Sequence, residues 1–244
     1  MMKFNELDTL KAQYDALRPL PEHTVKSLHE KLVLDWTYNS NAIEGNTLTL
    51  KETKVVLEGI TVGGKLMREH FEAINHKEAI DFVEDIVSQK DPLSESLIKS
   101  IHHLVLKQID DKNAGAYRKQ NVLISGAEHR PPEHFKVPDE IQQLVESYNN
   151  SNLHPLESAA RLHVDFVKIH PFIDGNGRTA RLLMNFELMR NGLLPVVIQV
   201  KDRLAYYEAL DTAHTTNDYS LFIDMVASEE VATLKMCLEL ITGE

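Results

Sequence analysis

Pro155 to Ile169 carries apolar residues at helical spacing, and a second helix follows from Gly177 to Arg190, closed by Asn191-Gly192 with Pro195 beyond. Across their junction runs HPFIDGNGRTAR, residues 170–181. This junction constrains the fold more than any other feature. Pro171 disfavours helical geometry at His170, so the first helix stops there. Gly175-Asn176-Gly177 permits a tight turn, and the second helix starts at once. The chain is committed to two helices clamping a short polar loop.

The remaining punctuation predicts more helices. Asn5 to Leu17 has helical spacing and is broken by Arg18-Pro-Leu-Pro. A longer helix runs from about Glu22 to Glu44 and stops at Gly45. Thr49-Leu-Lys-Glu52 has the form of a capping box, and its helix ends near Gly59. Arg68 to Gln89 is amphipathic. Pro92-Leu-Ser94 opens a helix reaching Ile109, and Pro138 opens another. Asp202 to Ala213 and Tyr219 to Leu240 complete the set. One segment departs from the pattern. Asn121-Val-Leu-Ile-Ser125 is β-like, Gly126 to Pro132 has turn chemistry, and His134-Phe-Lys-Val137 is expected to pair back. The expected fold is all-α, mainly helical, with one small β-hairpin flap. No repeat, low-complexity tract or compositional shift divides the chain.

The net charge of −11 repels a nucleic-acid backbone, so no nucleic-acid partner is expected. Any phosphate must be captured locally. The start, MMKFNELDTL, is not a secretory signal, and no apolar run has membrane-spanning length. No membrane association is expected. Cys237 is the single cysteine, which excludes an internal disulfide and fits a reducing, cytoplasmic setting as a small buried hydrophobe.

The loop itself implies chemistry. Glycines at Gly175 and Gly177 let backbone N–H groups converge on one point, and the helix that follows adds partial positive charge. That is an anion hole suited to phosphate. Arg178 and Arg181 lean toward the same end of that helix. Two arginines suggest a polyphosphate. Asp174 would repel it unless Mg²⁺ bridges the two. His170, as a neutral imidazole, can take a proton from an attacking hydroxyl. Together these point to phosphoryl or nucleotidyl transfer. Singly, Asp174 as a cap, the arginines in surface ion pairs and His170 as a core histidine are ordinary, but a structural turn does not need all of them in register.

HPFIDGNGRTAR matches the Fic family signature, HPFx(D/E)GNGRxxR, at every fixed position. The flanking helices and the segment before them also resemble a Fic domain, over roughly Asn46 to Ala232. The resemblance implies residues 46–244 as a Fic catalytic domain with C-terminal helices, and residues 1–45 as a helical region packed on it in one compact unit. It implies transfer of AMP from Mg·ATP to a Ser, Thr or Tyr hydroxyl of a target protein, or of the chain itself, with release of pyrophosphate. His170 would be the base and Asp174 the Mg²⁺ ligand. Gly175, Asn176 and Gly177 would form the anion hole, and Arg178 and Arg181 would hold the ATP phosphates. Retention of GNGR favours AMP transfer over the phosphate transfer of Doc-type relatives.

Tyr206 and Tyr207 fall where similar proteins place a tyrosine pair beside the nucleoside. Core packing of Tyr207 is equally compatible. His214 stands where relatives often carry asparagine at the base edge. Val122, Leu123 and Ile124 are the residues of the flap expected to align the target, and a strand that merely covers the core is compatible too. Upstream, Ser40-Asn-Ala-Ile-Glu44-Gly45 fits the Fic inhibitory pattern (S/T)xxxE(G/N). Glu44 at a helix C-terminus opposes the helix dipole at a cost of about 0.3–1 kcal/mol. An exposed glutamate tolerates this; by resemblance Glu44 instead pairs with Arg181 and restrains the enzyme. Relatives with this arrangement often dimerise. Deadenylylation, use of another nucleotide, and a catalytically silent nucleotide-binding regulator are the competing readings.

Overall fold

The computed structural model describes residues 2–243. Its helices are α1 (Met2–Ala16), α2 (Glu22–Ile43), α3 (Leu50–Leu57), α4 (Met67–Gln89), α5 (Glu95–Leu106), α6 (Val137–Asn149), α7 (Pro155–Ile169), α8 (Asn176–Arg190), α9 (Arg203–Thr216) and α10 (Ser220–Thr242). Short 3₁₀ turns at His134–Lys136 and Val200–Asp202 lead into α6 and α9. The local signals act as their chemistry requires. Thr49 accepts from the Glu52 amide at 3.2 Å, and Glu52 accepts from the Thr49 amide at 2.7 Å, a complete capping box for α3. Gly45 takes φ +98° just past α2, a conformation that other residues rarely adopt.

α7 and α8 form the centre. On one side Phe166, Leu183 and Phe186 pack with Ile80, Ile98 and Ile101 of α4 and α5. On the other, Ala160, Val164, Met184 and Leu188 pack with Leu7, Phe222, Val226 and Leu234 of α1 and α10. α8 is buried almost all round, as a helix with packed neighbours on every face must be. The loop between α7 and α8 therefore springs from two helices packed in the core. α1 lies along α10, so the N- and C-terminal helices share a core that includes the buried Cys237. Among the described residues no helix is long and apolar enough to cross a membrane.

The expected β-hairpin does not form, and no strand exists among the described residues. Val122, Leu123 and Ile124 lie in an irregular loop, and residues 134–136 are a 3₁₀ turn rather than a return strand. The return limb is not extended: residues 134–136 coil into the 3₁₀ turn that runs directly into α6, so no second strand is available to pair. Side chains tie the segment instead. Asn121 Oδ1 accepts from the His134 amide at 2.8 Å. His129 Nε2 donates to the Lys168 carbonyl at 2.9 Å. Arg118 Nη1 donates to the Gln120 carbonyl at 3.0 Å, and its Nη2 to the Pro132 carbonyl.

Candidate active site

His170 closes α7 in the left-handed region, at φ 50° and ψ 60°. A non-glycine residue stays there only where its surroundings hold it. Its amide donates to the Phe166 carbonyl at 3.1 Å, and its own carbonyl accepts from Arg118 Nε at 2.9 Å. Burial pushes its pKa down to about 4, and the Arg118 cation adds to this, while Glu44 and Asp174 pull the other way. The imidazole is therefore neutral at pH 7.

The loop after His170 is fastened from within and behind. The Asn176 side chain bonds both the amide and the carbonyl of Phe172, each at 3.0 Å. His102 of α5 accepts the Gly115 amide at Nδ1, so its Nε2 carries the proton and donates to the Asp174 carbonyl at 2.9 Å. Its ring stacks on Phe172 with centroids 3.5 Å apart. Gly175, at φ +77°, lies against that ring; an added Cβ there would stand 3.3 Å from it.

Asp174 is the half-buried acid of the loop. Burial raises its pKa, but Arg178, the Gly175 amide and Arg68 lower it further, so it is ionised. Its Oδ2 accepts from Arg68 Nη2 at 2.6 Å, and Arg178 Nη2 lies 3.4 Å from Oδ1. Arg178 is 2% exposed and also stands 3.4 Å from Glu72 of α4. Its Nε and Nη1 have no hydrogen-bond partner. Among the described residues no three His, Cys, Asp or Glu side chains gather to hold a metal. One ionised carboxylate beside an anion hole nonetheless suits Mg²⁺, which takes its other ligands from phosphates and water.

Arg181 is also 2% exposed, yet every arm has a partner. Nε donates to Ser40 Oγ at 2.9 Å, and Nη2 to the Ser40 carbonyl and to Glu44 Oε1, each at 2.8 Å. Nη1 donates to Tyr206 Oη at 3.2 Å, and Tyr206 in turn lies 3.1 Å from His163 Nε2. Burial works against the Arg181 charge; Tyr206 and Glu44 more than offset it, and its pKa rises. Glu44 Oε1 sits over Gly177, where an added Cβ would come within 2.3 Å of it. A carboxylate thus stands at the N-terminus of α8, where the sequence suggests an anion hole.

A cavity of about 310 Å³ opens beside these groups. Glu44, His170, Asn176 and Gly177 line it, together with Tyr206, Tyr207, His214 and Ile124 of the loop. Tyr207 is 38% exposed, and its hydroxyl donates to the Ile43 carbonyl at 3.3 Å. His214 Nε2 donates to the Val164 carbonyl at 3.0 Å. Arg178 and Arg181 lie behind the cavity rather than in its lining. Leu123 is 78% exposed and points away from the core. The sequence reading missed Arg118, Arg68, Glu72 and His102. Each reaches the loop from a distant element, and no local motif marks it.

The Fic/DOC family profile matches residues 92–188, from just before α5 to near the end of α8. A protein adenylyltransferase Fic from Nematostella vectensis is 39% identical over 235 residues, 91% of this chain and 53% of that protein. The chain spans about half the length of the curated relatives it matches. Fic-1 (aa134 - 508) of C. elegans superposes with a TM-score of 0.89 at 30% identity, over 99% of this chain and 73% of that one. A Fic domain containing signaling protein from Bacteroides thetaiotaomicron superposes with a TM-score of 0.90 at 32% identity, over 98% of this chain and 97% of that one. End-to-end agreement at that identity, with the family match enclosing the His170–Arg181 loop, establishes that the chain belongs to the Fic/DOC family.

Proposed function

We propose that the chain is a protein adenylyltransferase that uses ATP with Mg²⁺ and restrains itself through Glu44. The observation that carries the reading is the meeting of a neutral His170, the N-terminus of α8 and Glu44 in the lining of a single cavity. An acceptor hydroxyl of a Ser, Thr or Tyr side chain bonds to the α-phosphorus. The bond to the β-phosphate breaks, pyrophosphate leaves, and the hydroxyl proton goes to His170. The triphosphate's negative charge favours the imidazolium, so the base strengthens as the proton arrives. Asp174 would hold the Mg²⁺, which when bound neutralises phosphate charge; Arg68 must yield its share of that carboxylate. The amides at the start of α8 receive phosphate oxygens. Tyr207 and His214 flank the nucleoside, and Val122 to Ile124 face the target.

Glu44 opposes this in two ways. It engages the Arg181 fork that a terminal phosphate requires, and its carboxylate lies over Gly177, where the anion belongs. The same residue favours a second activity. A carboxylate in one cavity with His170 can orient water against an AMP-modified target, giving deadenylylation.

Intact-mass measurement of Glu44→Gly after incubation with Mg·ATP tests the proposal. An added adenylyl group on the variant, with little on the parent, is expected, and His170→Ala in that background should remove it. Nucleotide binding with no adduct in the Glu44→Gly variant would instead support a silent binder.

A further inference from the structure

Arg118 lies outside the His170–Arg181 loop, is 2% exposed, and has four bonds to main-chain carbonyls of two separate segments. Two go to the end of α7. Its amide donates to the Pro171 carbonyl at 3.0 Å, and Nε to the His170 carbonyl at 2.9 Å. Two go to the loop of residues 119–133: Nη1 to the Gln120 carbonyl at the outgoing limb and Nη2 to the Pro132 carbonyl at the returning limb. The loop has no ladder of its own, so this guanidinium substitutes for one. The same group holds His170 in a left-handed conformation that needs external support.

We propose that Arg118 is a positioning residue that couples the target-side loop to His170, so that ordering of Val122 to Ile124 and presentation of the imidazole are one event. The coupling is physical because a planar fork satisfies all three carbonyls only when loop and α7 end are in register. A lysine has one donor point and cannot replace it. Its charge also acts on His170, against the anions Glu44 and Asp174 that face the same imidazole. What His170 does chemically rests on the adenylyltransferase reading; the coupling itself does not.

The test uses the full chain carrying Glu44→Gly, with and without Arg118→Lys. Expected for Arg118→Lys are ATP binding within about twofold of its parent, self-adenylylation slowed by about tenfold or more, and faster chymotryptic cleavage after Leu123. The titration midpoint of the His170 ring, followed by NMR, should rise in Arg118→Gln, which removes the cation, and should also shift in Asn121→Ala, because loosening the loop at its other tie disturbs the imidazole; a midpoint unmoved in Asn121→Ala overturns the coupling. A folded Arg118→Lys with unchanged transfer and unchanged cleavage overturns the proposal. If the Glu44→Gly parent transfers nothing, the adenylyltransferase reading fails, while cleavage and titration still decide the coupling. If the Arg118 variants do not fold, hydrogen exchange on the unmutated chain decides it. The amides of Arg118 and His170 should open as one unit across denaturant concentrations, and independent opening overturns it.

Discussion

Arg181 Nη2 and Glu44 Oε1 meet at 2.8 Å beside Gly177, joining the end of α2 to the N-terminal half of α8. Glu44 is part-exposed while Arg181 is buried, so the pair is sealed on one side only. Removing the charge should separate the pair's electrostatic part from its bulk. Glu44→Gln keeps the size and loses the anion. We expect it to raise ATP affinity by about 5–150-fold, with Glu44→Gly at or above that gain. Isothermal titration with Mg·ATP reads both, and equal affinities in parent and variants would remove Glu44 as the restraint.

Gly177 gives an independent handle on the same contact. In Gly177→Ala the new methyl meets the end of a flexible glutamate, so Glu44 must swing off Arg181. The variant should lose about 1–3 kcal/mol in urea denaturation when Glu44 is present. In a Glu44→Gly background the loss should be much smaller, because the nearest remaining neighbour is Arg181 Nη1 at 3.1 Å. Equal losses in both backgrounds would show that the two residues do not meet.

The buried histidines set a pH direction. His170 and His102 are both pushed down to about 4, first by burial. Unfolded imidazoles bind protons below about 6.5 while these do not, so their contribution to stability is complete above that pH and is lost as pH falls toward 4. Through the histidines, melting temperature should decline between pH 6 and 4; it should also fall as pH rises through 7 to 8, where Glu187 and Glu230, pushed up to about 7 and about 8 by burial, must ionise in the folded chain. Transfer by Glu44→Gly should likewise persist to mildly acid pH and fail only as His170 gains its proton. A maximum rate below pH 5 would exclude His170 as the base.

Tyr206 supports Arg181 more than it contacts solvent. Its phenol, pushed up to about 12 by burial, accepts from Arg181 and meets His163 at 3.1 Å. Tyr206→Phe leaves both of these buried groups short of a partner and should cost about 1–3 kcal/mol in denaturant unfolding. A neutral result would mean that water replaces the hydroxyl.

The helices were legible because their ends are written locally: Pro155 and Pro171 around α7, Thr49 and Glu52 at α3, Gly45 after α2. The site's front was legible for the same reason, since His170, Asp174 and the GNG turn lie in one run. The flap was misread because the short apolar run Val122-Leu-Ile124 looks like a strand by itself, while its expected partner at 134–137 is drawn into the start of α6. The back of the site was not legible at all. Arg68 meets Asp174 across 106 residues, His102 across 72, and Arg118 meets His170 across 52. Only packing of α4, α5 and the residue 107–118 segment against the α7–α8 loop brings them there. Arg178 differed for a related reason: α8 is buried on all faces, so its guanidinium turned inward to Glu72 and Asp174 rather than into the cavity.

On the proposed adenylyltransferase reading, the carboxylate over Gly177 acts as a ligand tethered to its own receptor. Its local concentration is fixed by the geometry of α2, in the range that short linkers give, about millimolar or higher. A free nucleotide competes against that occupied state, so its apparent affinity is reduced by the factor the tether sets. Adding more ATP is therefore an inefficient way to open the site. Tilting α2 slightly lowers the tethered concentration without touching a single nucleotide contact, so the sensitive control point lies in the helix and not in the pocket.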